Sequence, residues 1–420
     1  MQSEKRNMER MAEVVLEADE QVLQHFLSNS PWDENEVMDH VASDADVLLG
    51  GTEDSAFYLD ESAFKKQGKK SVGVARQWNG RLGKVDNCQV GVYAALGKGD
   101  RVCMTGARLY LPKEWTENKA RCDKAKVPAH ARHYQTKIDL ALELVRHARQ
   151  SGMRYHWVGM DSFYGRSGEL LRTLDDEEET FMADVPCDQL IYLQDPSPYI
   201  PPQSRATGRR RTRYHSDAPA TTVQQWASEQ PEQAWQRKTL RSATKGKLRI
   251  EVLHRRIWLW DKSSAIGRCW HLIVRREIDS PETLKYSLCN APTETSTLRL
   301  ARMQAQRYWI ERAFQDAKSH LGMAQYQARG WSAWHRHMAL VMMAQLFMLE
   351  EREGLQESYP LLSCYDIQII LARTLPSQQR DEDEMIRQMD VRHRKRQAAI
   401  ESAARAKRRV GNKTVGHAAV

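Results

Sequence analysis

No stretch of the 420 residues approaches 18 consecutive apolar positions. The longest apolar run, near 338–349, is a dozen residues interrupted by Gln345, too short to span a bilayer. The first ten residues are charged and lack an apolar core, so they do not read as a secretory signal. Cysteine is sparse and odd in number: seven residues, at 88, 103, 122, 187, 269, 289 and 364, with no CxxC among them. Cys269 and His271 are too close in sequence for a structural zinc pair. A disulfide scaffold and a zinc-ribbon fold are thereby excluded, and reduced thiols in a cytoplasmic protein without membrane association are expected. Low-complexity repeats are absent, and 22 Gly with 14 Pro are too few for a collagenous or disordered chain. At roughly 100–200 residues per domain, the length allows two or three domains.

Charge is present in quantity and unevenly placed. Residues 1–54 hold 3 Lys/Arg against 14 Asp/Glu, whereas residues 55–420 hold 60 against 41, a net of +19. Residues 201–270 carry 15 basic and 5 acidic side chains, with Arg209, Arg210, Arg211 and Arg213 in one cluster. Residues 385–413 carry 10 and 2. Cations at this density suit a phosphate backbone, where each neutralised charge releases a counterion. The competing reading of either stretch is a solvated face or tail.

Residues 1–50 read as helices, with Met8, Met11, Val15, Leu23, Phe26 and Leu27 at helical spacing, a break at Pro31, and a second helix ending at Gly50. From residue 55 the pattern becomes mixed. Residues 56–59 form a buried-type strand ending at Asp60; residues 71–76, 88–96 and 102–111 are strand-like. A helix is predicted over 134–151, a strand over 154–160 ending at Asp161, a helix over 169–174 and a strand over 180–185. This order argues for an α/β fold with a mixed sheet. Acids at the ends of apolar strands stand where open α/β sheets place ligands. Residues 187–295 instead carry a proline-marked linker, the arginine arm, and strands at 248–254, 257–260 and 269–275, read as a β-rich segment. One helix is predicted over 298–321, with Arg307 standing where an apolar residue is expected, and another over 331–349.

Three carboxylates, Asp60, Asp161 and Glu311, sit against these buried elements. Metal-assisted phosphoryl chemistry needs hard oxygen donors converging from separate elements, and paired ions activate the attacking water and stabilise the leaving oxygen. Singly, each acid reads equally as a surface or capping carboxylate. Glu61 competes with Asp60, although strand alternation points the two to opposite faces. On the helix, Arg307, Glu311 and Lys318 fall at i, i+4 and i+11, along one side; the competing reading is a surface ion pair.

Five ordered blocks, 59–66, 71–77, 83–92, 160–165 and 310–318, resemble bacterial insertion-sequence transposases. The resemblance is to the insertion sequence 701 family, within the DDE superfamily of ribonuclease H-like enzymes, and runs from about residue 5 to about 350. It implies a ribonuclease H-like core with a β-rich insertion between the second and third acids, and Asp60, Asp161 and Glu311 as the catalytic, metal-binding triad. Mg²⁺ would be the cofactor, with Mn²⁺ able to substitute. The related insertion sequence 4 group carries a Tyr-(2)-Arg-(3)-Glu-(6)-Lys signature, which places Arg307, Glu311 and Lys318 on its last three positions. Its Tyr position is Gln304 here, and Tyr308 lies on a different face.

The same resemblance implies metal-dependent cleavage at transposon ends followed by strand transfer, on double-stranded DNA comprising terminal inverted repeats and target, by a homodimer in a synaptic complex. Arg307 and Lys318 would contact phosphates near the cut. An aromatic of the insertion, Trp258, Trp260 or Trp270, would stack on a flipped base; the competing reading for each is a core residue. The expected organisation is a helical region at 1–54, shortened relative to family members, core at 55–186, insertion at 187–297, core completion at 298–352, and a helical region with a basic tail at 353–420. Two rivals stand beside this reading: a structure-selective nuclease on the same fold, and a truncated copy that binds transposon ends as a repressor.

Overall fold

Branched, aromatic and small apolar residues dominate the segments that pair into strands. In the computed structural model, which describes residues 7–202, 211–243, 246–262, 264–376 and 381–415, twelve strands form one mixed sheet. In chain order they are β1 (Ser55–Lys65), β2 (Ala75–Asn79), β3 (Lys84–Lys98), β4 (Arg101–Leu109), β5 (Trp157–Met160), β6 (Phe181–Val185), β7 (Leu190–Tyr192), β8 (Ala220–Thr222), β9 (Gln236–Ala243), β10 (Gly246–Leu259), β11 (Arg268–Glu277) and β12 (Ser280–Cys289). β3 runs antiparallel to both β4 and β1, and β1, β5 and β6 run parallel to one another. β12 adds antiparallel to β6, and β11 and β10 follow as a meander joined by β9 and, at the edge, β7 and β8. The strand-rich segment after 187 therefore continues the same sheet.

Helices cover both faces around β1 and β3. Helix Lys137–Gln150 starts at a capping box made by Thr136 and Asp139 and buries Leu140, Ala141, Leu144, Val145 and Ala148. Its Leu144 packs where β4 has Gly106. Each fully buried Leu or Val on this face contributes roughly 1.5–3 kcal/mol. On the opposite face, Tyr93 of β3 meets Phe314 and Trp334, from helices Tyr308–His320 and Trp331–Gly354. Helix Glu34–Leu49 packs beside the latter against β3 and β4, and buried Arg336 pairs with Glu34. No helix among the described residues is long and apolar enough to cross a membrane.

Four elements differ from the sequence reading. Asp60 lies inside β1 rather than at its end, because antiparallel pairing with β3 carries the strand on to Lys65 while the parallel partner β5 stops opposite Leu59. Residues 71–74 form a turn ahead of β2; Gly73, at φ +71°, brings the chain against the carbonyl oxygen of Tyr110, a position a side chain would obstruct. The expected strands at 248–254 and 257–260 are one continuous β10, since its pairing with β11 runs unbroken through His254–Ile257. The long helix over 298–321 is two helices, Thr297–Gln306 and Tyr308–His320, which meet at Arg307.

Candidate active site

The register of the parallel strands sets the site. Leu59 is opposite Met160, and Met160 is opposite Ala183. One residue further on, Asp60, Asp161 and Asp184 therefore stand flush on neighbouring strands, which are spaced by about 4.8 Å. β12 extends the row by one more polar residue, Ser287, paired with Asp184. A row of three acids across adjacent strands is electrostatically unfavourable unless cations answer it.

Asp161 follows β5 directly and caps the short helix Ser162–Gly165. Its Oδ1 accepts the backbone N–H of Phe163 at 3.0 Å and of Tyr164 at 3.4 Å, which fixes the carboxylate against the sheet. Burial raises its pKa, opposed by Arg307 and by these two N–H groups. Asp60 is pushed up to about 7, by burial first and the charge of Asp161 second.

Glu311 reaches the row from the first turn of helix Tyr308–His320. Alternation along β1 puts Asp60, Ser62 and Phe64 on the face that this helix covers. Further along the helix, Lys318 places its Nζ 5.9 Å from the ring of Phe64 and 5.2 Å from that of Phe314. The helix packs over β3 and β4 on this face, with Glu311 towards Asp60 and Lys318 towards Phe64. The Glu311 side chain is 54% exposed and accepts one hydrogen bond, from Arg307 Nη2 at 3.2 Å.

Arg307 is the cation inside the row. Its side chain is only 12% exposed, and its Nε donates to Asp184 Oδ2 at 2.9 Å. Burial opposes its charge, but Asp184, Asp60, Glu311 and Asp161 together outweigh burial and hold it firmly protonated. Glu61 faces the other side of the sheet, where Lys137 Nζ lies 2.6 Å from its carboxylate.

The structure thus brings Asp60, Asp161, Glu311 and Arg307 together, with Lys318 on the same helix face. Among the described residues no three His, Cys, Asp or Glu already close into a metal cage. Arg209 and Arg210 lie outside the described residues; Arg211 and Arg213 are exposed. Trp260 is buried, with its Nε1 donating to the Ser264 carbonyl at 2.8 Å, and Trp270 is buried edge-on against Phe181. Trp258 stays half-buried. Sequence reasoning missed Asp184, and the available signal was the same one that found its neighbours: an acid near the end of an apolar strand, here 180–185. It also missed Phe163, 44% exposed beside Asp161.

A family model described as DDE superfamily endonuclease matches residues 1–247, more than half of the chain. A protein of Microchaete diplosiphon described as a probable transposase for insertion sequence element IS701 is 30% identical over 180 residues, 41% of this chain. The match spans 42% of that relative's length.

Proposed function

This chain belongs to the DDE superfamily of endonucleases, and from that premise we propose that it is a DNA transposase that cleaves the ends of an insertion sequence and joins them to target DNA. The observation that carries the reading is the flush pair Asp60 and Asp161, faced by Glu311 from a separate helix. The order β4-β3-β1-β5-β6, with its antiparallel meander and two parallel additions, supports a ribonuclease H-like core. In this reading residues 55–186 and 298–352 make the core, 187–297 the β-rich insertion, 1–54 a helical region, and 353–420 the region that ends in the basic helix.

The donor set fits a hard divalent cation, since all three side chains offer carboxylate oxygens. Asp60 and Asp161 would hold Mg²⁺, or Mn²⁺ in its place, with Glu311 completing the site. Bound there, the metal would supply Lewis acidity to an attacking oxygen and to the leaving oxygen. The chain's own groups do the rest. The backbone N–H groups of Phe163 and Tyr164 orient Asp161, and Arg307 balances the charge of the acid row. Lys318 takes a DNA phosphate beyond Glu311, while Arg211, Arg213 and the exposed part of Trp258 offer further contacts to duplex DNA. Joining two ends requires two copies, so a homodimer in the synaptic complex is part of the proposal.

The test uses the full chain and a labelled duplex bearing the inverted repeat that flanks its own locus, with Mg²⁺ or Mn²⁺. Cleaved ends and joined products that vanish in Asp161→Ala, with DNA binding retained, are the expected result. Cutting by Asp161→Ala refutes the site assignment; binding by the wild type without cutting in either metal refutes the enzymatic reading.

A further inference from the structure

Asp184 stands in the row with Asp60 and Asp161, yet both of its oxygens are engaged inside the protein. Oδ2 accepts from Arg307 Nε at 2.9 Å and Oδ1 from Ser287 Oγ at 2.6 Å. Ser287 is fully buried, and its hydroxyl in turn accepts from Nε2 of Gln304, itself 4% exposed, at 2.7 Å. Four side chains from β6, β12 and the junction of two helices thus form one continuous network, buried at Ser287 and Gln304, that ends on the guanidinium. A buried guanidinium without a dedicated partner would settle on the nearest carboxylates. Those are Asp60, Asp161 and Glu311, all three of which act on Arg307 electrostatically.

We propose that Asp184 is a positioning residue of the acid site: by anchoring Arg307 it keeps the guanidinium off Asp60 and Asp161 and restricts its grip on Glu311, leaving those acids open to a divalent cation. The proposal rests on the DDE reading above and deepens it. Gln304, which occupies the position where the related group has Tyr, acquires a role as the far end of the anchor. Loss of the Asp184 charge by itself weakens cation binding and loss of the Arg307 charge by itself strengthens it, so opposite signs at these two residues do not separate anchoring from direct electrostatics. The charge-neutral Ser287→Ala does separate them: it removes one hydrogen bond from the anchor and no charge, so a loss of metal affinity there reports a freed guanidinium.

The experiment measures Mn²⁺ binding to the full chain without DNA, by electron paramagnetic resonance of the free ion. Asp184→Asn is expected to raise the half-saturating Mn²⁺ concentration roughly tenfold, the lower end of the effect of one close charge on another. Ser287→Ala should move it in the same direction by a smaller factor. The double variant Asp184→Asn/Arg307→Gln should bind Mn²⁺ at least as tightly as the wild type. Unchanged binding in Asp184→Asn or in Ser287→Ala, or a double variant no better than Asp184→Asn, overturns the proposal. Should Asp184→Asn fail to fold, unchanged binding in Ser287→Ala overturns it alone. Absence of Mn²⁺ binding by the wild type sinks the metal-site reading itself, and this proposal with it.

Discussion

Gly165 closes the short helix that Asp161 caps, and a Cβ there would collide with the carbonyl oxygen of Asp184 on β6. The contact is backbone against backbone, so relief requires moving the whole turn. Gly165→Ala is therefore expected to destabilise the protein by about 1–3 kcal/mol, the usual cost of overpacking, and to shift Asp161 out of the row. A lowered melting temperature together with weakened Mn²⁺ binding checks it; loss of neither would show that the turn is compliant. Residue identities around the site were largely legible, because strand alternation separates Asp60 from Glu61 and helical spacing aligns Arg307 with Glu311. Asp184 was not singled out, although its signal was present, because a lone acid ending a strand is common among 55 acidic residues.

At the scale of elements, a chain of neutral imidazoles ties β10 and β11 to helix Thr297–Gln306. His271 Nε2 lies 3.1 Å from the carbonyl oxygens of Ala291 and Pro292, so it carries the proton. Its Nδ1 then accepts from His254 Nε2 at 2.8 Å, and His254 Nδ1 accepts the Thr297 hydroxyl at 2.8 Å. Burial, then the neighbouring His271, lowers the His254 pKa to about 4; burial alone dominates for His335, at about 3, and His337, at about 4. Between these values and the unfolded value near 6.5, only the unfolded chain takes up the protons. Stability is thus complete above about pH 6.5 and falls as the pH drops towards 4, by at most about 1.4 kcal/mol per pH unit for each histidine. A melting temperature lower at pH 5 than at pH 7.5 is expected, with a shallower decline in His254→Gln. An equal decline in that variant would assign the effect elsewhere. Periodicity found most elements but not the division at Arg307, since helical spacing on either side of a junction stays in phase while a pull towards β6 is not a local signal.

Across the whole molecule, the acidic amino-terminal region meets the basic carboxy-terminal helix Glu382–Val415. Arg392 pairs with Glu13 at 2.8 Å, and Lys395 pairs with Glu20 and lies 3.7 Å from Glu9. Two of the cations read from sequence as phosphate ligands are therefore answered within the chain, and DNA must compete with these acids for them. Replacing Glu9, Glu13 and Glu20 by Gln is expected to tighten duplex binding at low salt and to steepen its salt dependence. Each cation released adds about 0.9 to the slope of log affinity against log salt. An unchanged slope would mean that this helix does not meet the phosphates.

The amino-acid sequence by itself determined the class of fold, the carboxylate oxygens that Asp60, Asp161 and Glu311 offer, and the spacing that sets Arg307 beside Glu311. Those properties follow from periodicity, residue type and local offset, which are written along the chain. Only the tertiary structure decided that Asp184 joins the row, that Arg307 is turned inward to it across 123 residues of sequence, and that Trp260 and Trp270 are packed away. These depend on strand register and on which charges share a buried space, and register is a property of paired strands that no single strand carries.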